Sequence, residues 1–325
     1  MKICIFGAGA IGGFLGTRLA ASGHQTSALA RGKTLDALRS HGWQLQTETE
    51  TSSQPLTASA SAQELGPQDL VIVAVKGHAI AAVASAIAPL LGPDTMVLTA
   101  INGVPWWFFD GLKGLLTGAT LASVDKDGDL RSKIPSHRVI GCVVHASCTV
   151  PEPGVTRHGF GNGLILGEAL GGGSLRLGRL VEVFKQAGFQ TASSECIQRD
   201  IWYKLWGNMT MNPVSALTGA TCDLILGDPL VRDFCVAVMG EAAAIGEKIG
   251  CPVSQSAEER NAMTLKLGAF KTSMLQDVEA GKPLEVDALL TVVNEIAGRV
   301  GVPAPNAAAL LGLVRLFAQV RGLAA

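Results

Sequence analysis

Ile3-Cys4-Ile5-Phe6-Gly7-Ala8-Gly9-Ala10-Ile11-Gly12-Gly13 opens the chain and decides its fold. Ile3 to Phe6 is a short apolar run suited to a buried parallel strand, and Phe14-Leu15-Gly16-Thr17-Arg18-Leu19-Ala20-Ala21 continues with helical periodicity. Between them Gly7, Gly9 and Gly12 stand at G-x-G-x-x-G spacing. Gly7 suits a tight turn, Gly9 lets the backbone approach a pyrophosphate, and Gly12 lets helix and strand pack closely. The free N–H groups and positive dipole end of the helix would hold the phosphates. With 39 glycines in the chain, chance matches have to be weighed, and it is the strand before and helix after that give this motif its meaning. Gly7, Ala8, Gly9, Ala10, Ile11 and Gly12 are therefore the expected dinucleotide loop.

Thr26 to Arg31 reads as the second strand, and its end selects the cofactor. An NAD site wants an acid there for the ribose hydroxyls, whereas the chain offers Arg31 and Lys33, with no acid until Asp36. This points to the 2'-phosphate of NADP(H), held by charge-assisted bonds worth about 1.5 to 3 kcal/mol. Two solvated loop cations are the plain alternative. Residues 42 to 68 read as peripheral strands and a helix. Asp69 to Lys76 and Thr95 to Ala100 read as further strands, the first ending in Lys76 and the second leading into Asn102-Gly103. Ligands of open α/β sheets gather at such strand ends, which places Asn102 near the nicotinamide ribose, although Asn-Gly also marks plain turns. In residues 104 to 137, Pro105-Trp106-Trp107-Phe108-Phe109 could cap a pocket, bury an oligomer contact or plug the base of a surface insertion. Val139 to Val150, carrying His145 and Ser147, reads as a strand that turns back through a hairpin-like tract to Leu166. His145 is either a functional imidazole or a core histidine.

A chain of 325 residues suits two domains. A net charge of -1 provides no broad basic field for nucleic acid or an anionic membrane, and no apolar run of about 18 residues is present, so a small-molecule partner is expected. The opening Met-Lys could pass for a signal peptide, but the glycines that follow fall where a phosphate loop needs them, which favours the cytoplasm. The seven cysteines are odd in number and lack a C-x-x-C pair; they read as reduced, buried small hydrophobes, with no metal site.

After Ser193-Ser194 the pattern becomes almost wholly helical, so the expected organisation is an α/β Rossmann-type doubly wound sheet over 1–193 and an all-α domain over 194–325. In the first of these helices Lys204, Asn208 and Asn212 stand at i, i+4 and i+8 and share one sector, surrounded by Ile201, Trp202, Leu205, Trp206, Met209 and Met211. Lysine and asparagine are costly in such a setting unless partnered, which makes the column a site and not a solvated face. Pro213 is expected to end or kink this helix. Further helices are expected over about 229–249, 257–270, 284–300 and 306–318, and an apolar helical domain of this kind suits a homodimer. Ser273 and Glu285 lie between two of them and read either as helix caps or as site residues.

The chain resembles the ketopantoate reductases (2-dehydropantoate 2-reductases). The resemblance rests on Gly7-Ala8-Gly9-Ala10-Ile11-Gly12, Asn102-Gly103, Lys204-x-x-x-Asn208-x-x-x-Asn212-Pro213, and Ser273-Met274-Leu275-Gln276-Asp277 followed by Glu285-x-Asp287. It implies a Rossmann domain holding NADPH, a helical domain closing over it, and a branched 2-oxo acid in the cleft. It also implies roles: Lys204 as proton donor, Asn208, Asn212 and Ser273 as substrate ligands, and Asn102 and Glu285 at the junction of cofactor and substrate. Arg31 and Lys76 match positions near the adenosine phosphate and the nicotinamide side, and Ser147 one where the backbone meets the cofactor. Two departures bear on the substrate: the segment after Asn102 is long and aromatic, and Cys222 stands where a further substrate-binding Asn is expected.

Hydride transfer to a ketone needs a cationic acid that stabilises the developing oxyanion and then protonates it. The second domain has no histidine, and its one tyrosine, Tyr203, adjoins Lys204 instead of preceding it by four residues, so a Tyr-x-x-x-Lys device is absent. The competing readings are a β-hydroxyacid dehydrogenase or another 2-oxo acid reductase, and, in a different class, a non-catalytic NADP(H)-binding sensor.

Overall fold

The opening apolar run forms β1 (Lys2–Phe6), with Ile3, Cys4 and Ile5 fully buried. The computed structural model describes residues 1–324. The chain divides into two compact units, Met1–Ile101 with Gly128–Ile197, and Asn102–Asp127 with Gln198–Ala325. The segment after Asn102, counted with residues 1–193 on sequence, thus groups with the helices.

In the first unit β1 is followed by α1 (Ala10–Ala21), β2 (Gln25–Leu29), α2 (Gly32–His41), β3 (Trp43–Gln46), β4 (Thr51–Gln54), β5 (Thr57–Ser59) and α3 (Ala62–Leu65). Then come β6 (Gln68–Val73), α4 (Ile80–Ala86), β7 (Leu91–Thr99), α5 (Asp129–Lys133), β8 (Val139–Glu152), β9 (Val155–Glu168), α6 (Leu175–Gln186) and β10 (Gln190–Ser194). The strands make one ten-stranded sheet in the order β4-β3-β9-β8-β7-β6-β1-β2-β5, with β10 beside β9. Most pairings are parallel; the β8–β9 hairpin and the β3–β4 pair are antiparallel. β1 lies between β2 and β6, so the chain leaves it at the point where the strand order reverses.

The sheet wraps α1, which touches β1, β2, β3, β4, β8 and β9. Such a helix must be buried nearly all round, and Gly12 to Thr17 are. Its glycines make this possible. A Cβ on Gly12 would collide with the Gly7 carbonyl, one on Gly13 with the Thr156 hydroxyl of β9, and one on Gly16 would lie 2.6 Å from the Trp43 ring of β3. Trp43 is itself held by an indole N–H donated to Thr26 Oγ1 at 3.1 Å.

Two strands end earlier than expected. β2 stops at Leu29, and Arg31 is the N-cap of α2. β6 stops at Val73, and Lys76 leads into the short 3-10 turn Gly77–Ala79. On their shared side both lose β1, which turns away at Gly7 after the bond from Ala74 N–H to the Phe6 carbonyl (2.9 Å), and on their far sides the bonding ends with Ala30 N–H to the Ser59 carbonyl (3.0 Å) and Ala100 N–H to the Val73 carbonyl (2.9 Å).

The second unit contains α7 (Ile197–Thr218), α8 (Cys222–Gly227), α9 (Pro229–Lys248), α10 (Ala257–Leu265), α11 (Ser273–Glu279), a π turn (Asp287–Thr291), α12 (Val292–Val300) and α13 (Pro305–Val320). Pro213 does not end α7: the helix runs five residues further, with Pro213 to Ala216 buried. Packing outweighs the missing N–H, and the helix closes where Thr218 Oγ1 donates to the Val214 carbonyl and Ser215 Oγ to that of Ala220, both at 2.7 Å. α7 is fixed to α9 by two indoles: Trp202 Nε1 donates to the Ala242 carbonyl (3.3 Å) and Trp206 Nε1 to that of Met239 (2.8 Å). Gly246 of α9 makes room, since a Cβ there would stand 2.5 Å from Trp202 Nε1.

The aromatic run is the plug. Trp106, Trp107, Phe108 and Phe109 are at most 3% exposed, and Phe108 meets Trp202 of α7 with ring centroids 6.3 Å apart. The segment is also tied to α12, where Glu295 accepts from Ala122 N–H and Ser123 N–H (2.9 Å each) and from Ser123 Oγ (2.7 Å). All seven cysteines are free, but Cys148 and Cys196 are only half-buried. His145 is exposed on β8, so it is not a core histidine. No helix among the described residues is long and apolar enough to cross a membrane.

Candidate active site

The glycine loop follows directly from β1. Gly7 adopts φ +104°, and a Cβ there would meet Val75 Cγ1 at 2.7 Å and the Ala74 carbonyl at 2.9 Å, so only glycine makes this turn. Gly9 is the N-cap of α1, and a Cβ on it would meet nothing within 4 Å: the backbone faces open space. The first N–H bonded within the helix is that of Gly13, to the Gly9 carbonyl at 2.8 Å, which leaves the N–H groups of the first turn directed at whatever lies over Gly9. This is a fit for a dinucleotide pyrophosphate, made of Gly7, Ala8, Gly9, Ala10, Ile11 and Gly12.

The surrounding strand ends line up. Phe6 pairs with Leu29 and with Val73, and Val73 with Thr99, so four parallel strands finish in one row at one edge of the sheet. Arg31 and Lys76 follow this row within three residues. Arg31 is exposed at the start of α2, and Lys76 is half-buried next to the Gly7 turn. Ser147 is half-buried on β8, between two irregularities in its pairing with β9.

In the helical unit the polar column of α7 is real. Lys204 and Asn208 are half-buried, and Asn212 is 6% exposed. Lys204 Nζ donates to Asn102 Oδ1 at 3.1 Å, and Asn212 Nδ2 donates to Ser273 Oγ at 3.4 Å. Asn208, between them, has no side-chain hydrogen bond among the described residues. Ser273 is not the cap of α11; Thr272 is, accepting from Leu275 N–H at 3.2 Å, and this leaves the Ser273 hydroxyl exposed.

Glu285 is buried two residues before the π turn, with Val286 between them. That turn meets the Asn102-Gly103 corner closely. Gly103 has φ +79°, and a Cβ on it would collide with the Ala288 carbonyl. The glycine after Asn102 therefore has two tasks, the left-handed turn and the close approach to the segment that carries Glu285. π turns are often found at functional sites, and sequence periodicity gives no sign of one. Cys222 is 1% exposed at the start of α8, and burial, aided by the Asp223 charge, pushes its thiol up to about 11. It is a neutral, weak hydrogen-bonding group at ordinary pH.

Residues 3–171 match the family described as ketopantoate reductase PanE/ApbA, and residues 196–318 match its C-terminal companion. The chain belongs to the ketopantoate reductase family. A 2-dehydropantoate 2-reductase from Mesorhizobium japonicum is 44% identical over 99% of both chains. A structure from Ralstonia solanacearum, provisionally described as a ketopantoate reductase, is 58% identical with a TM-score of 0.95 over 99% of this chain and 98% of that one. The 2-dehydropantoate 2-reductase of Geobacter metallireducens is 27% identical with a TM-score of 0.86, over 98% of this chain and all of that one. Like these relatives, the protein is an oxidoreductase, with a Rossmann-like mixed sheet and an all-helical C-terminal unit. D-mandelate dehydrogenase shares the fold at 19% identity and a TM-score of 0.84, so the architecture alone does not name the acid.

Proposed function

We propose that the protein is an NADPH-dependent 2-oxo acid reductase that converts 2-dehydropantoate to pantoate, with Lys204 as the proton donor. The single observation that carries this reading is the hydrogen bond of the Lys204 ammonium to Asn102, at the head of a column that continues through Asn208 to the Asn212–Ser273 pair. The hydride for the ketone carbon comes from bound NADPH, whose pyrophosphate the Gly7–Gly12 loop would hold, whose 2'-phosphate Arg31 would pair with, and near which Lys76 and Ser147 would lie.

The chain's own groups do the rest. Asn102 accepts one ammonium proton of Lys204 and so aims the others. As negative charge develops on the former carbonyl oxygen, Lys204 stabilises it and passes it a proton. Asn208, with its amide unengaged, and the pair Asn212 and Ser273 provide donors and acceptors for the substrate's polar atoms. Glu285, an acid buried beside the Asn102-Gly103 corner, supplies the negative charge that balances the lysine.

A second reading, reduction of a different 2-oxo acid, is favoured by Cys222. A buried neutral thiol replaces a stronger hydrogen-bonding amide where the family is expected to hold its substrate, and that changes which side chain fits. Following NADPH oxidation with a panel of 2-oxo acids, ketopantoate included, separates the cases. Efficient ketopantoate reduction supports the first. Turnover of another acid alone transfers the same mechanism to that acid, and NADPH binding with no oxidation marks a sensor and overturns the enzyme reading.

A further inference from the structure

Arg260, on α10, is a cation without a counter-ion in the helical unit. It forms no ion pair and no side-chain hydrogen bond among the described residues, and its Nε is buried with no partner. Packing nevertheless holds it in place. The guanidinium carbon stands 5.0 Å over the ring of Tyr203, and that ring is held by its hydroxyl, which donates to Gln255 Oε1 at 2.5 Å. The guanidinium also lies against Gly207, where a Cβ would come within 3.2 Å of Nε and 3.3 Å of Nη2. An absent side chain on α7 thus makes space for this arginine. The nearest acids of its own helix are turned elsewhere: Glu259 reaches back to the N–H of Ser256 at 3.0 Å, and Glu258 is exposed.

Gly207 and Tyr203 are not arbitrary positions. Gly207 is three residues after Lys204 and one before Asn208, so it is a surface neighbour of Lys204 on the same helix, and Tyr203 adjoins Lys204 in the chain. Tyr203 and Gly207 are four residues apart and share a face of α7 that borders Lys204 on the side away from Asn212, and the cation is held over that face. An arginine kept half-buried, with one donor orphaned and its planar fork not engaged by any protein acid, is poised for a planar anion; a carboxylate matches its geometry in two parallel bonds. We propose that Arg260 binds the C1 carboxylate of the 2-oxo acid, so that Lys204 serves the keto oxygen and Arg260 the acid group beside it. This deepens the reductase reading and rests on it.

The test compares wild type with Arg260→Gln and Arg260→Lys, each checked for an unchanged melting temperature. Steady-state kinetics are run with a 2-oxo acid and with its neutral 2-oxo amide. In Arg260→Gln, KM for the acid rises about ten- to a hundredfold, the loss expected for a charge-assisted pair. Meanwhile kcat and the KM for NADPH stay within a fewfold, the preference for acid over amide collapses, and Arg260→Lys recovers part of it. Calorimetric binding of oxamate to the NADP⁺-loaded protein reads the same contact without turnover, and weakens in step. An unchanged oxamate affinity in a folded Arg260→Gln overturns the inference, and so does a fall in kcat at constant acid-over-amide preference, the mark of a merely structural role. Absence of any 2-oxo acid turnover in wild type would instead defeat the reductase reading, while oxamate binding would still report on Arg260.

Discussion

Lys204 Nζ donates to Asn102 Oδ1 at 3.1 Å, joining two residues 102 positions apart in one compact unit. A lysine in a half-buried position needs its charge compensated and its direction set. An amide oxygen can set the direction without taking the proton. Lys204→Ala should lower kcat about a hundred- to ten-thousandfold, the usual share of general acid catalysis. Lys204→Arg, which keeps the charge but does not release a proton, should fall nearly as far while KM changes little. Near wild-type turnover in either variant, measured at saturating substrate, would remove Lys204 from the role.

Asn102→Ala removes the amide oxygen that accepts from the Lys204 ammonium. A hydrogen bond to a charged group contributes about 1.5 to 3 kcal/mol, so kcat/KM should drop about ten- to a hundredfold. Less than a threefold change would mean that another group orients the lysine.

Arg31 is exposed at the N-terminus of α2, next to the end of β2. Arg31→Ala should weaken NADPH binding about ten- to a hundredfold and leave NADH binding almost unchanged. Fluorescence titration with both cofactors checks this, and an equal effect on the two would assign Arg31 no part in reading the 2'-phosphate.

Gly103→Ala combines a left-handed φ of +79° with a Cβ in collision with the Ala288 carbonyl. The φ alone costs about 1 to 3 kcal/mol, and the collision must push apart the Asn102 corner and the π turn. Reduced stability to urea should accompany a loss of kcat larger than any loss of NADPH affinity. A variant as stable as wild type would show that the corner can move freely.

Burial pushes the carboxyl of Glu295 up, but hydrogen bonds from Ser123 and Ala122 and the Arg299 charge outweigh it and hold it below the usual carboxylate range. An acid whose folded pKa is depressed stabilises the fold fully above its unfolded value of about 4.3 and loses that contribution as pH falls through the lower folded value. Glu295→Gln should therefore destabilise the protein by about 1 to 3 kcal/mol at neutral pH, with the gap to wild type closing in acid. Urea denaturation at pH 7 and at pH 3 measures both. A gap independent of pH would mean that the 102–127 segment is not held through this charge.

The glycine loop and the α7 column could be read before any coordinates because each is local. A strand, a turn and a helix in immediate succession state their own geometry, and a spacing of four residues places side chains in one sector whatever surrounds the helix. The sequence by itself therefore determined the strand–glycine turn–helix at Gly7 to Gly12, the two kinds of architecture and the Lys204–Asn208–Asn212 line. The run of four aromatics after Pro105 was equally visible but its use was not, since a plug, a lid and an interface have the same composition. Only tertiary structure decided that Trp106 to Phe109 pack with the helices, that α7 continues through Pro213, that the glycine after Asn102 admits the Ala288 carbonyl, and that Arg260 rests on Tyr203 and Gly207. Each of these depends on groups far apart in the chain competing for the same space, and no local propensity or periodicity records the outcome of that competition.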